Sequence, residues 1–158
     1  MTTLAPVIKT RDVPITVEEA FRLFTEGLDT WWPLDAFSIG ADEKGETPVA
    51  VRFEGRVGGQ VVEVMADGTE YVWADVIAWN PPERFVLAWH PSLDPTAASI
   101  LEVRFAPNGT GSSVYLEHRG WEEFGERALE VRGQYEPGWD RVLAPYQVTA
   151  KAATDPTG

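Results

Sequence analysis

Two consecutive prolines, Pro81 and Pro82, separate two short stretches in which apolar side chains alternate along the chain. The alternation over residues 73–79 and 85–89 has the period of two that is typical of a half-buried β-strand. Proline has no N–H to donate to a strand ladder, so the pair marks a turn and not the interior of a strand. The two stretches are therefore predicted to be antiparallel neighbours joined at the prolines.

The same alternation recurs four more times. It covers residues 49–53, 60–65, 100–105 and 113–118. Turn-forming pairs separate most of these segments, namely Gly58-Gly59, Asp67-Gly68 and Asn108-Gly109. Six consecutive strands joined mainly by short turns predict an antiparallel meander.

Helices are predicted before the meander. Thr16 and Glu19 have the spacing of a capping box, and an amphipathic apolar stripe follows them. Pro33 disfavours a helical conformation at Trp32, so a second short helix is expected to end there.

A long C-terminal helix is predicted from an apolar stripe that runs from Trp139 to Ala150. Pro137 suits the first turn of this helix. Pro145 lies within the stripe and predicts a kink, because an interior proline removes a backbone hydrogen bond. Residues 122–135 show little pattern and are expected to form a mobile acidic segment, with one short helix at most.

Charge and composition limit the partners of the chain. Its 25 acidic and 13 basic residues give a formal net charge of −12, which repels nucleic acid and anionic lipid. It contains no cysteine and two histidines, so neither a metal site nor a cofactor is expected. No apolar run is long enough to span a membrane, and a cytoplasmic protein is expected. The length of 158 residues predicts one domain over residues 1–153 and a flexible tail over residues 154–158.

Charged residues within the strands indicate which face of the sheet is buried. This rule places Trp89 on the inner face and Glu63 on the outer face. It also places Trp73 and Trp79 outside, where they would cover the sheet or form the interface of a homodimer. His90 follows a strand on the outer side and is expected to be solvated.

Several short sequences, taken in order, resemble a known superfamily. They are Val17-Glu-Glu-Ala-Phe21, Trp31-Trp32, residues 79–89, residues 99–105, residues 116–121 and Gly138-Trp139. Together they are similar to the START-like, or SRPBCC, superfamily, and within it to the branch named after the homologue of the heat-shock-protein-90 ATPase activator. The resemblance implies an α+β helix-grip fold: a curved antiparallel sheet wrapped around a long C-terminal helix, with two short N-terminal helices. It also implies a first strand from Ala5 to Arg11 and an internal cavity for a hydrophobic ligand.

The residues expected to bind a ligand face the space between the sheet and the C-terminal helix. They are Trp31, Trp32, Phe53, Phe85, Trp89, His118, Trp121, Trp139, Leu143 and Tyr146. His118 would orient a polar group of the ligand or act as a general base, and the alternative is a histidine bonded to backbone or water. The same side chains also suit a filled core, so the sequence alone does not decide between a cavity and a solid interior.

Three functions are compatible with these features. The first is binding of a small hydrophobic or aromatic ligand, and the second is a cyclase- or hydrolase-type enzyme that uses the same cavity. The third is a chaperone-associated interaction domain with a role in the stress response, which the name of the resembled branch suggests. The inner face offers few titratable groups, and this favours binding over catalysis.

Overall fold

The computed structural model describes residues 4–91 and 95–153. Within them, seven antiparallel strands form one curved sheet in the order β1-β7-β6-β5-β4-β3-β2. The strands are β1 (Val7–Val13), β2 (Ala50–Phe53), β3 (Gln60–Val64), β4 (Glu70–Asn80), β5 (Arg84–Trp89), β6 (Ser99–Asn108) and β7 (Gly111–Arg119). The α-helices are α1 (Val17–Thr25), α2 (Leu28–Trp31), α3 (Ile39–Lys44) and α4 (Ala128–Ala152). This is the expected helix-grip architecture; the predicted tail, residues 154–158, lies outside the described residues.

The double-proline turn joins paired strands, as predicted. Strands β4 and β5 are antiparallel neighbours, with Trp79 opposite Phe85 and Ala74 opposite Trp89. The first strand, predicted from Ala5 to Arg11, is present as β1 over Val7–Val13, and it extends the sheet by pairing with β7.

The N-terminal helices number three, and not two as expected. Thr16 caps the N-terminus of helix α1: its Oγ1 accepts from the Glu19 amide at 3.2 Å and donates to the Glu19 carboxyl at 3.0 Å. Helix α2 ends at Trp31, immediately before the residue that precedes Pro33. Helix α3 is the addition: Ser38 caps its N-terminus, and Gly45 ends it in a left-handed conformation with φ of 65°.

Helix α4 begins much earlier than the sequence predicted. A 3-10 segment over Trp121–Arg127, interrupted by the non-helical backbone of Gly125, leads into α4 at Ala128. Residues 122–135 are therefore mostly helical, and Pro137 lies inside the helix. The buried side chain of Val131 and the ring of Tyr135 extend the apolar stripe and pack against the core. This packing stabilises the helix despite the interior proline. The kink at Pro145 stays a prediction.

The expected outward orientation of Trp79 is wrong because β4 contains a bulge. The register against β5 shifts between Val76 and Ala78, which leaves Ile77 unpaired and half-exposed. One extra residue reverses the alternation beyond it. Trp79 therefore faces inward, with its ring 5.0 Å from that of Phe21.

A second irregularity, between β3 and β4, and the burial of two polar side chains overturn three more expectations. The register shifts at Val61/Val62, so that Trp73 is unpaired opposite β3 and enters the core with 2% of its surface exposed. Glu63 pairs with Val51 on the inner face and is fully buried. His90 is also buried, and its Nε2 lies 2.8 Å from the Asp75 carboxyl. The outward tryptophans, which motivated the homodimer, are thus both inside.

The middle of the space between sheet and α4 is filled by aromatic side chains. Phe85 is fully buried, with its ring centroid 5.9 Å from that of Phe21 and 5.6 Å from that of Phe24. Phe24 in turn lies 5.1 Å from Tyr146 of α4. Such close packing fills this part of the interior with side chains.

Candidate functional site

A cavity of about 600 Å3 lies at the other end of the sheet. It is surrounded by α3, by α4 and by the strand residues Trp73 and Trp89. Seven aromatic side chains line it: Trp32, Phe37, Trp73, Trp89, Phe124, Tyr135 and Trp139. Its polar lining residues are Ser38, Asp42, Arg127 and Gln134. The volume falls within the roughly 300–1,000 Å3 that is usual for small-molecule pockets.

Trp32 is the centre of the aromatic wall. Its ring centroid lies 5.0 Å from that of Trp73, 6.2 Å from Trp89 and 5.8 Å from Trp139. Its indole N–H donates to the Phe37 carbonyl at 2.7 Å, which fixes the loop that leads to α3. The tryptophans are therefore held in place before any ligand enters.

Glu63 connects this wall to α3. Its carboxyl oxygens accept from the Ile39 amide at 2.7 Å and the Gly40 amide at 2.9 Å, the first amides of the helix. They also accept from the indole N–H of Trp73. Helix α3 and strand β4, which both line the cavity, thus meet at one buried side chain of β3. The sequence pattern had assigned this side chain to the outer surface.

Tyr135 lies on the α4 side of the cavity. Its hydroxyl oxygen accepts from the Trp89 indole N–H at 3.0 Å. Its ring is near-parallel to that of Trp139, at 26° and 6.3 Å. Burial raises the pKa of Tyr135, and the hydrogen bond from Trp89 offsets only part of this rise. The hydroxyl is therefore protonated at neutral pH.

One acidic and one basic side chain accompany the aromatic lining. Asp42 lies in the first turn of α3 and Arg127 immediately before α4. The Arg127 side chain is two-thirds exposed, and its Nε lies 3.8 Å from a carboxyl oxygen of Glu130, so the side chain is accessible to a ligand. In the described ranges, no group of three or more His, Asp or Glu side chains is placed to hold a metal ion. No helix of those ranges is long and apolar enough to cross a membrane.

His118, the strongest candidate from the sequence, is behind the cavity wall and does not line it. It is fully buried; its Nδ1 accepts from the Trp139 indole at 3.0 Å, and its Nε2 lies 2.7 Å from Ser99 Oγ. Since an indole N–H only donates, the neutral ring carries its proton on Nε2 and donates to Ser99. Burial lowers the pKa of His118 to about 3. The ring is thus a neutral support for Trp139.

The remaining predicted site residues divide into two groups. Those that line the cavity are Trp32, Trp89 and Trp139. Those that lie away from the cavity, and are buried or partly buried there, are Trp31, Phe53, Phe85, Trp121, Leu143 and Tyr146. The Tyr146 hydroxyl donates to the Ala20 carbonyl at 2.8 Å, so it anchors α1 to α4. The Trp121 indole N–H is fully buried and has no hydrogen-bond partner in the part of the chain that is described.

Sequence reasoning missed four of the aromatic lining residues: Phe37, Trp73, Phe124 and Tyr135. Tyr135 could have been found, because it precedes Trp139 by four residues and extends the same helical stripe. Phe37 and Phe124 lie outside any periodic segment. Trp73 was misplaced by the bulge.

Residues 14–147 match the family described as Activator of Hsp90 ATPase homolog 1-like protein. The chain belongs to this family. The match covers strands β2 to β7 and most of α4, so it includes every element around the cavity. The family has the START-like fold and includes ligand-binding and polyketide cyclase-like members. A search of curated proteins finds no match to the chain.

Solved structures agree with the family and the fold. An anthrahydroquino-γ-pyrone synthase, Txn09, is 29% identical with a TM-score of 0.63, over 93% of this chain and 98% of that chain. A Mesorhizobium loti protein, MLL2253, is 18% identical with a TM-score of 0.68, over 95% and 98%. The Aha1 dimer from Colwellia psychrerythraea is 13% identical with a TM-score of 0.66, over 96% and 100%. The last two show the fold alone.

Proposed function

We propose that the protein binds a planar, oxygenated aromatic molecule in the cavity beside α4. The observation that carries the proposal is the cavity wall, in which the four tryptophans Trp32, Trp73, Trp89 and Trp139 accompany three further aromatic rings. Flat aromatic surfaces pack favourably against aromatic side chains, at about 0.5–1.5 kcal/mol per ring pair beyond the area buried. A flat ligand therefore gains most from this wall.

Burial of the apolar surface of the ligand favours binding. Each Å2 of apolar surface removed from water contributes about 25 cal/mol before the entropy of association is subtracted. The wall is also pre-organised, since Trp32 and Trp89 are each held by a hydrogen bond of the indole. Pre-organisation lowers the cost of ordering side chains around the ligand.

The oxygen atoms of the ligand are inferred from the polar lining. Arg127 attracts a phenolate or carboxylate at the mouth, and Tyr135 offers a hydroxyl. The named activity of Txn09, which is similar over nearly the whole chain, supports an oxygenated polycyclic compound.

The same similarity favours a second candidate function, a cyclase-type enzyme acting on such a compound. Among the described residues, Asp42, Arg127 and Tyr135 are the titratable side chains of the cavity lining. A chaperone-associated role has only the family name in its support. A homodimer also stays a proposal. The Colwellia dimer is a precedent in the fold, whereas the tryptophans that were expected to form the interface are internal.

Filling the cavity from α4 tests ligand binding. Gly138 lines the cavity, and a Cβ added there meets only Phe37 Cε1, at 3.9 Å. Gly138→Phe therefore places a ring in the ligand space without disturbing the helix. We expect the affinity for anthraquinone-2-sulfonate, a soluble planar probe, to fall at least about tenfold, a difference of ~1.4 kcal/mol. Tryptophan fluorescence quenching and calorimetry measure the affinity.

Gly133→Phe is the matched control. Gly133 lies in the same helix, is exposed and has nothing within 4 Å of an added Cβ. It does not line the cavity, so its variant should bind the probe like the wild type, and both variants should keep the wild-type melting temperature or exceed it. Equal binding by the two variants, or no binding by the wild-type protein, would refute the proposed site.

A further inference from the structure

Among the residues that the structure describes, the hydroxyl of Tyr135 accepts one hydrogen bond and donates none. Its oxygen accepts the indole N–H of Trp89 at 3.0 Å. A phenol has one hydrogen to donate, and Tyr135 donates it to no acceptor in residues 4–91 and 95–153. Because Tyr135 lines the cavity, the unused donor is available to a molecule bound there.

The position of this hydroxyl is fixed on several sides. The Tyr135 ring lies 4.6 Å from the buried His118, 5.6 Å from Trp121 and 6.3 Å from Trp139. Each of these rings is almost completely buried. Rotation of Tyr135 would require the aromatic cluster to repack, so the donor is held in place before a ligand binds.

Trp89 determines the direction of the bond as well as the position of the oxygen. An indole N–H is a donor only, and so the bond between the two side chains has a fixed polarity. The hydroxyl hydrogen must then point away from Trp89. Since burial raises the pKa of Tyr135, the group remains a donor throughout the neutral range.

We propose that Tyr135 selects ligands that present a carbonyl or ether-type oxygen on the aromatic ring system, by donating its hydroxyl hydrogen to that oxygen. This inference rests on the proposed function and deepens it. The aromatic wall binds any flat apolar molecule, whereas the Tyr135 donor discriminates among them. A ligand that lacks the oxygen leaves the donor buried and unpaired beneath it, which costs binding free energy.

The expected selectivity follows from this unpaired donor. Two soluble probes, anthraquinone-2-sulfonate and anthracene-2-sulfonate, share the planar ring system and the anionic group and differ in the two carbonyl oxygens. Wild-type protein should bind the quinone about tenfold more tightly, which corresponds to ~1.4 kcal/mol. Tyr135→Phe removes only the hydroxyl, and its affinities for the two probes should differ by less than about twofold.

Tyr115→Phe is the control, because it removes a hydroxyl bonded to Glu117 away from the cavity. It should keep the wild-type preference for the quinone. The selectivity ratio also separates recognition from structure, since a Tyr135→Phe variant that is merely loosened would bind both probes more weakly by the same factor. That equal loss would overturn the inference.

The remaining outcomes are also decisive. If wild-type protein binds both probes with one affinity and Tyr135→Phe alters neither, the inference fails while the proposed function stands. If wild-type protein binds neither probe, the proposed function fails for this class of compound, and the inference fails with it. Melting temperatures of all three proteins confirm that each is folded under the conditions of the titration.

Discussion

Lowering the pH from 6.5 should destabilise the folded protein by about 1.4 kcal/mol for each pH unit, because the folded state does not accept a proton at His118. Burial lowers the pKa of this imidazole from 6.5 to about 3. Between pH 6.5 and about pH 3 the loss of folding free energy amounts to roughly 4–5 kcal/mol, a large part of the stability of a domain of this size.

The sign of the effect follows from which state binds the proton. In the unfolded chain His118 takes up a proton below pH 6.5, whereas in the folded chain it remains neutral down to about pH 3. The stabilisation is therefore complete above pH 6.5 and is lost as the pH falls towards 3. Around the ring, Trp121, Tyr135 and Trp139 supply no negative charge that would favour the imidazolium.

Between pH 6.5 and 5, the effect of His118 on stability can be distinguished from the effect of the carboxyl groups. Burial by itself would raise the pKa of Glu102, but hydrogen bonds from Arg104, Arg84 and Arg119 hold it at about 2. Its contribution is lost only below 4.5, its value in the unfolded chain. The slope between pH 6.5 and 5 thus reports on histidine.

Urea denaturation at a series of pH values measures the slope as a change in midpoint at constant m-value. His118→Gln keeps an amide that can bond to Trp139 and Ser99, and it cannot take up a proton. The variant should be less stable at pH 7 and show no slope between pH 6.5 and 5, whereas His90→Gln retains His118 and its slope. If the stability of wild type and of His118→Gln fell with the same slope between pH 6.5 and 5, the slope could not be assigned to His118.

The strands were predictable from the sequence because their signals are local. Alternating side chains and turn residues placed the hairpin at Pro81 and Pro82 and the strands around it. The orientation of β4 was not predictable in the same way. A bulge depends on pairing with a neighbouring strand, and the unpaired Ile77 and Trp73 leave no mark in a single-strand pattern.

The start of α4 was missed for a different reason. Proline is common in a first helical turn, and this local rule therefore placed the start of the helix at Pro137. The packing of Val131 and Tyr135 against the core stabilises the preceding turns, and this tertiary contribution exceeds the local preference. The early start matters for function, because it brings Tyr135 to the cavity.

The candidate site was predictable only in part. Trp32, Trp89 and Trp139 were expected to face a ligand, and all three line the cavity. His118 was predicted to be the chemically active residue because histidine titrates near neutral pH. Burial removes that property, and it leaves the hydroxyl of Tyr135 as the oriented polar group beside the aromatic wall.

Replacing Glu63 by alanine should lower the free energy of unfolding by about 3 kcal/mol, since it removes the acceptor of three buried hydrogen bonds at once. Glu63 is fully buried and accepts from the Ile39 and Gly40 amides and from the Trp73 indole. All three donors lose their acceptor in the variant. Their burial prevents water from replacing it without a local rearrangement of α3.

The same substitution should weaken binding of anthraquinone-2-sulfonate, because Ile39 and Trp73 both line the cavity. Glu63→Gln keeps one acceptor oxygen and should lie between wild type and alanine in urea denaturation. Glu83→Ala is the control; Glu83 is exposed in the double-proline turn, and its loss should change stability by no more than about 0.5 kcal/mol. If Glu63→Ala were as stable as Glu83→Ala, the three hydrogen bonds would not be what holds α3 against the sheet.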